Sequence, residues 1–220
     1  MRKGLPFAVL ALLSTRPVVA QITGEFTPRL GVFVPTRDLI VTSDPNTGVV
    51  TAFKGETKFN IGARIGVWFG PFLGLETVVD YNKSGVMPFA GGQQLSGPIG
   101  SHYFAASGRA TARLRTRGGG VGLVLSGGAG LVDRGGDFIQ GMTPPLTRLT
   151  GRTRFAPAGG VGLLIRLSRD VVARLDADAY TYTAEYGVPG AGSLGRRRQY
   201  DLFFTFGLSG PFKDYAVPGQ

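Results

Sequence analysis

The chain has no cysteine, one histidine (His102), one tryptophan (Trp68) and few charges, with 17% of its 220 residues Asp, Glu, Lys or Arg. Without cysteine there is no disulfide framework, thiolate nucleophile or thiolate metal site. A single histidine cannot assemble a zinc site from nitrogen and sulfur ligands, so neither metal nor cofactor is expected. A hydrolase built on His102 would need a serine beside it. Neighbours in a strand face opposite sides, which turns Ser101 away, and the residue two along is Phe104. The chain therefore reads as non-enzymatic. Beyond the first twenty residues it also lacks any apolar run approaching the ~20 residues of a transmembrane helix. A chain that lives in a membrane without such a helix must be a closed barrel, because nothing else satisfies its backbone in lipid.

Glycine, in contrast, is abundant at 36 residues, more than twice the usual share of about 7% and without a collagen-like period. The runs at 118–122, 127–130 and 159–162 lack the Lys-Ser/Thr ending of a phosphate loop, so they belong to bends and crowded faces. Residues 1–20 read as a cleaved signal peptide: Arg2 and Lys3, an apolar core from Leu5 to Ser14, then Val18-Val19-Ala20 before Gln21. Three of the ten net positive charges fall in this segment, leaving +7. Those remaining are dispersed, with no basic-aromatic platform for nucleic acid.

The remainder resolves into segments of alternating hydrophobicity: Phe26–Val34, Lys58–Phe69, Leu73–Asn82, Tyr103–Thr116, Gly120–Leu131, Arg154–Leu167, Val172–Tyr182 and Gln199–Ser209. In each, one parity is apolar and carries no Asp, Glu, Lys or Arg. The other holds the ionic residues, positive outnumbering negative nine to five. Connections alternate too: Gly70-Pro71, Arg117-Gly118-Gly119 and Ser168–Val171 are short, whereas Pro35–Thr57, Lys83–His102, Val132–Thr153 and Thr183–Arg198 are long. Short turns on one rim and long loops on the other is the outer-membrane pattern. The fold expected is all-β: an eight-stranded antiparallel up-and-down transmembrane β-barrel over residues 21–212, with 213–220 as a tail.

Alternation does not say which face meets lipid, since a soluble ligand-carrying barrel has the same period with its faces exchanged. Three features place lipid outside. Glycines such as Gly31, Gly62, Gly128, Gly130, Gly160 and Gly162 lie on the polar parity, where a narrow barrel is crowded. Apolar-parity aromatics (Phe26, Phe69; Phe59, Tyr81, Phe104, Phe155, Tyr200) sit near segment ends, as girdles do. The segments also reach the 9–11 residues that cross a bilayer at a tilt.

On the opening Phe26-Thr-Pro-Arg-Leu-Gly-Val-Phe-Val-Pro35, the turn Leu167-Ser-Arg-Asp-Val-Val-Ala-Arg-Leu175 and the closing Tyr200-Asp-Leu-Phe-Phe-Thr-Phe-Gly-Leu208, the chain resembles the eight-stranded outer-membrane barrels of the OmpA and OmpX type. The resemblance implies a bacterial outer membrane, with its lipid, its lipopolysaccharide and the barrel-assembly machinery as partners. It implies no particular oligomeric state. The chain departs from such barrels in continuing past Phe212, where they usually end on an aromatic residue.

The expected lumen is an ion-pair network of Arg29, Arg64, Glu76, Asp80, Arg109, Arg113, Arg166, Arg174, Asp176, Asp178 and Asp201, because buried charges demand partners. Eight strands leave an interior just wide enough for side chains, which favours a plug. The excess of positive charge is the argument for a small anion-favouring channel instead. Arg196-Arg197-Arg198, where the last loop enters the last strand, suits phosphate groups of lipopolysaccharide, since arginine binds phosphate bidentately. The function expected is structural or surface interaction through four extracellular loops. The rival readings are a small channel, a soluble carrier and, most remote, a lipid-modifying enzyme.

Overall fold

The computed structural model describes residues 22–116, 120–140, 145–149, 153–168 and 170–211; the leader 1–20 and the tail 213–220 lie outside them. In chain order the elements are β1 (Ile22–Pro35), β2 (Ile40–Ser43), β3 (Val50–Gly55), β4 (Lys58–Phe69), β5 (Leu73–Ala90), β6 (Gln93–Gln94), β7 (Ile99–Arg115), β8 (Val121–Gly135), the short helix α1 (Asp137–Gln140), β9 (Thr147–Arg148), β10 (Thr153–Arg166), β11 (Val172–Val188) and β12 (Gly192–Pro211). Eight of them close on themselves in the order β5-β4-β1-β12-β11-β10-β8-β7, the ring being completed by β5 with β7. Every pairing is antiparallel, and β1 meets β12 in register from Glu25–Pro211 to Pro35–Asp201. Closure leaves no free edge within the barrel wall, the condition for a sheet to cross lipid.

One rim carries tight turns. Gly70 adopts φ +75 between β4 and β5, a conformation that a side chain resists. At the β10–β11 turn, Ser168 Oγ accepts hydrogen bonds from the Asp170 and Val171 amides. The other rim departs from the expected loops, which are largely strand. β5 and β7 pair out to Val86–Ile99. β11 and β12 pair through a bulge at Glu185/Gly187 up to Val188–Gly192. The β2–β3 hairpin in the first connection adds β3 to β5, continuing the ladder where β4 ends. Beyond the apolar band of the outer wall a strand's outward positions need not be apolar. The alternation that marks a spanning strand therefore stops before the strand does.

The faces fall as the alternation requires. Phe59, Ile61, Ile65, Leu75, Leu114, Leu125, Val161 and Phe204 are exposed on the outside. Arg29, Arg64, Arg109, Arg174, Asp80, Asp178 and Asp201 are buried within. Glycine position follows crowding: a Cβ at inward Gly130 would lie 2.7 Å from both Cα and Cβ of Ser107, whereas outward Gly127 has nothing within 4 Å. Gly130→Val should therefore cost about 1–3 kcal/mol by overpacking, read as a lowered urea midpoint in detergent micelles. Gly127→Val should leave that midpoint unchanged.

Candidate functional site: a filled lumen and an arginine corner

The lumen is filled in layers, because inward positions two apart on each strand stack along the barrel axis. Nearest the turn rim, Glu25 accepts hydrogen bonds from Trp68 Nε1 at 2.9 Å and Arg113 Nη2 at 2.8 Å, and the Arg113 guanidinium lies 3.6 Å from the Trp68 ring centroid. Trp68 packs with Val124 and Leu164 as a small apolar floor.

Above it lies the main ionic layer. Arg174 donates to both oxygens of Glu76, at 2.6 and 3.2 Å, and through Nε to Asp176 at 2.9 Å. Arg64 bridges Asp176 at 2.7 Å, Asp178 at 3.3 Å and Glu76 at 3.4 Å. Arg29 pairs with Asp178 at 2.7 Å and Asp80 at 3.2 Å, and Arg109 also donates to Asp178. Asp178 is thus shared by three guanidinium groups brought from β1, β4 and β7. Asn60 donates to Asp80 at 2.9 Å.

Toward the loop rim the lumen turns aromatic. Phe33, Tyr103, Tyr180 and Phe203 meet at centroid distances of 4.8–5.7 Å. Tyr182 donates to Asp201 at 2.8 Å, Arg134 stands 3.7 Å from the same carboxylate, and its guanidinium covers Phe33 and Tyr103. Over this layer Leu39 and Ile40, Phe53 of β3, Phe138 of α1 and Leu146 are buried with Tyr186 as one apolar core. The loop-side additions are therefore a lid: their apolar side chains fill the barrel mouth.

The expected lumen residues separate into three groups. Arg29, Arg64, Glu76, Asp80, Arg109, Arg174, Asp176 and Asp178 come together in the main layer; Arg113 lies below with Glu25, and Asp201 above with Arg134. Arg166 does not join them. It ends β10 at the turn rim, exposed, where solvent rather than a carboxylate satisfies it. Glu25 and Arg134 lie beyond the expected strand ends, by one residue and by three, and both fall on the inward parity once the alternation is carried on. With them six buried arginines face five buried carboxylates and the part-buried Glu25 among the described residues, so the layered interior carries little of the expected positive excess.

Near the loop rim Arg196, Arg197 and Arg198 are all exposed, with Arg196 and Arg198 on the outer face and Arg197 on the opposite one, across from the buried Ala184. Arg198 donates to Thr181 Oγ1 at 3.2 Å, and its guanidinium lies 5.3 Å from the Tyr200 ring centroid. The same ring carries Arg37 at 4.8 Å, held there because Thr36 donates through its amide and hydroxyl to the Tyr200 carbonyl. Ser101 turns inward and donates to the Gly135 carbonyl at 3.0 Å, while His102 stands outside, 3.9 Å from Asp133. Among the described residues no cluster of His, Cys, Asp and Glu could hold a metal ion.

No protein-family model and no curated protein sequence matches this chain. Solved structures do. The chain is similar to the outer membrane protein OprG of Pseudomonas aeruginosa, at 14% identity over 88% of this chain and 98% of that one, with a TM-score of 0.60. It is equally similar to the outer membrane protein AlkL determined in lipid bilayers, at 13% identity over the whole of both chains, again with a TM-score of 0.60. The fold is that of the eight-stranded outer-membrane β-barrels. Inside this barrel an ionic layer lies beneath an aromatic one.

Proposed function

We propose that the chain resides in a bacterial outer membrane as a plugged barrel that passes no solutes and acts through its extracellular strand platform. On this reading residues 1–20 are removed on export, the barrel-assembly machinery inserts the rest, and the short turns face the periplasm. The apolar outer wall and its aromatic ends support the membrane location. The observation that carries the plug is the continuity of lumen packing. The ionic layer around Asp178 is followed without a break by the Phe33–Tyr103–Tyr180–Phe203 cluster and then by the lid of Leu39, Phe53, Phe138 and Leu146. The even balance of arginines and carboxylates removes the electrostatic ground for an anion channel. A catalytic reading finds no support at His102, whose side chain stands outside the barrel beside Asp133 while Ser101 turns inward to the Gly135 carbonyl.

Among the described residues the platform includes the β11–β12 hairpin and the β3–β5–β7 ladder, which continue past the barrel wall as paired strand and suit a surface for contact. Purified protein reconstituted in planar lipid bilayers should be electrically silent. Stepwise single-channel conductance of the wild-type protein would overturn the plugged reading.

A further inference from the structure

Two observations on the outer wall meet on one pair of strands. The first is the corner at the loop rim, where Arg37 and Arg198 both pack on the Tyr200 ring and Arg196 lies two residues up β12. Bringing two guanidinium groups onto one ring concentrates positive charge, which costs energy unless an anion joins them. The nearby acids do not supply it. Glu185 sits across from Arg196 in the β11–β12 register, and its Oε1 accepts from Ser193 at 2.7 Å. Asp38 is at the corner through its carbonyl, which accepts from Gln199. Neither forms an ion pair with Arg37 or Arg198.

The second observation is a groove of about 490 Å³ in the lipid-facing wall, whose lining includes Val161, Leu163, Leu175, Ala177, Phe204 and Phe206. It exists because β11 places Ala177 between Val161 of β10 and Phe204 of β12, so the small side chain is recessed between larger ones. The two features are joined by the ladder itself. From Phe204–Ala177 the outward pairs run Leu202–Ala179, Tyr200–Thr181 and Arg198–Thr183. At ~3.3 Å per residue this places the arginines roughly 20 Å along the strand from the groove.

An arginine pair at the aromatic girdle above an apolar groove fits one kind of ligand: a phosphorylated head with acyl chains beneath it. Resting on the outer-membrane reading proposed above, we infer that the β11–β12 face is a binding site for the lipid A of lipopolysaccharide. Its phosphate would be held by Arg37, Arg196 and Arg198 and an acyl chain would lie in the Ala177 groove. Arginine is suited to the head because its planar fork meets phosphate oxygens bidentately. Tyr200 holds two of the guanidiniums in place from below.

The test uses the full chain refolded in detergent micelles, with lipid retention read by native mass spectrometry. Diphosphorylated lipid A should be retained on the wild type, and Arg37→Gln with Arg198→Gln should weaken it by about tenfold or more. Ala177→Phe, which fills the groove without touching a charge, should also weaken lipid A, while leaving the weak retention of inorganic phosphate as it was. Equal retention of phosphatidylglycerol and lipid A would overturn the inference, as would variants that bind like wild type. So would an Ala177→Phe effect on dimer content alone, which would give the groove to a second copy of the chain. The folded state is checked separately, by the shift in gel mobility between unheated and boiled samples. A folded barrel without lipid A binding sinks this site only, whereas absence of a detergent-folded form sinks the membrane reading beneath it.

Discussion

Asp178→Ala should cost the barrel about 3–5 kcal/mol, the range for removing one partner of a buried ion pair, and the upper end is expected. Asp178 lies against Arg29, Arg64 and Arg109 at once. Arg29 would keep Asp80, and Arg64 would keep Glu76 and Asp176. Arg109 would keep no carboxylate of its own, holding its Nε bond to Ser107 at 3.0 Å and its contacts with Tyr180. An unpaired guanidinium in the barrel interior is the costly product. Asp178→Asn should lie between variant and wild type, because it removes the charge but keeps an acceptor. The measurement is the urea midpoint of the refolded protein in lipid vesicles, followed by loss of the fast-migrating unheated band. An Asp178→Ala barrel as stable as wild type would mean that the ionic layer fills space without contributing to stability.

Ile65→Arg should destabilise the folded barrel by about 2–4 kcal/mol, the cost of an arginine facing lipid near the bilayer midplane. Ile65 lies well inside β4 and is 53% exposed on the outer wall. Its neighbour Arg64 is 2% exposed and faces Glu76, Asp176 and Asp178. Adding an arginine at 65 and removing the one at 64 should therefore both be harmful, for opposite reasons. The same pair of faces can be read without destabilisation. A spin label at Ile65 should be relaxed by oxygen dissolved in lipid, and one at Val124, buried over Trp68, should not. A water-exposed label at Ile65 together with a lipid-accessible one at Val124 would turn the barrel inside out.

Most of the wall was legible because lipid imposes the strictest demand on sequence. A spanning strand must alternate, so Lys58–Phe69 could be delimited by its pattern alone and coincides with β4. Where lipid ends, the demand ends with it. Met87-Pro88-Phe89 and Ala184-Glu185-Tyr186 do not alternate as spanning segments do, yet both are strand, held by pairing to β3 in the first case and to β12 and β9 in the second. The candidate site shows the same division. Arg29, Asp178 and the other ionic residues of the wall announced themselves by parity, and the arginine run 196–198 by composition. Arg37 did not. It lies outside every alternating segment, and only the tie between Thr36 and the Tyr200 carbonyl brings it to the ring that Arg198 also covers.

By itself, the sequence determined the number of spanning strands, the face each presents to lipid and the presence of charge inside, because these follow from a two-residue period acting along one strand at a time. The tertiary structure decided which charges meet, that Glu25 and Arg134 balance the interior, that the first connection and α1 close the mouth, and that a groove lies beneath the arginine corner. These depend on the stagger between strands distant in the chain. That stagger is set by closure of the whole sheet and leaves no mark on any one segment.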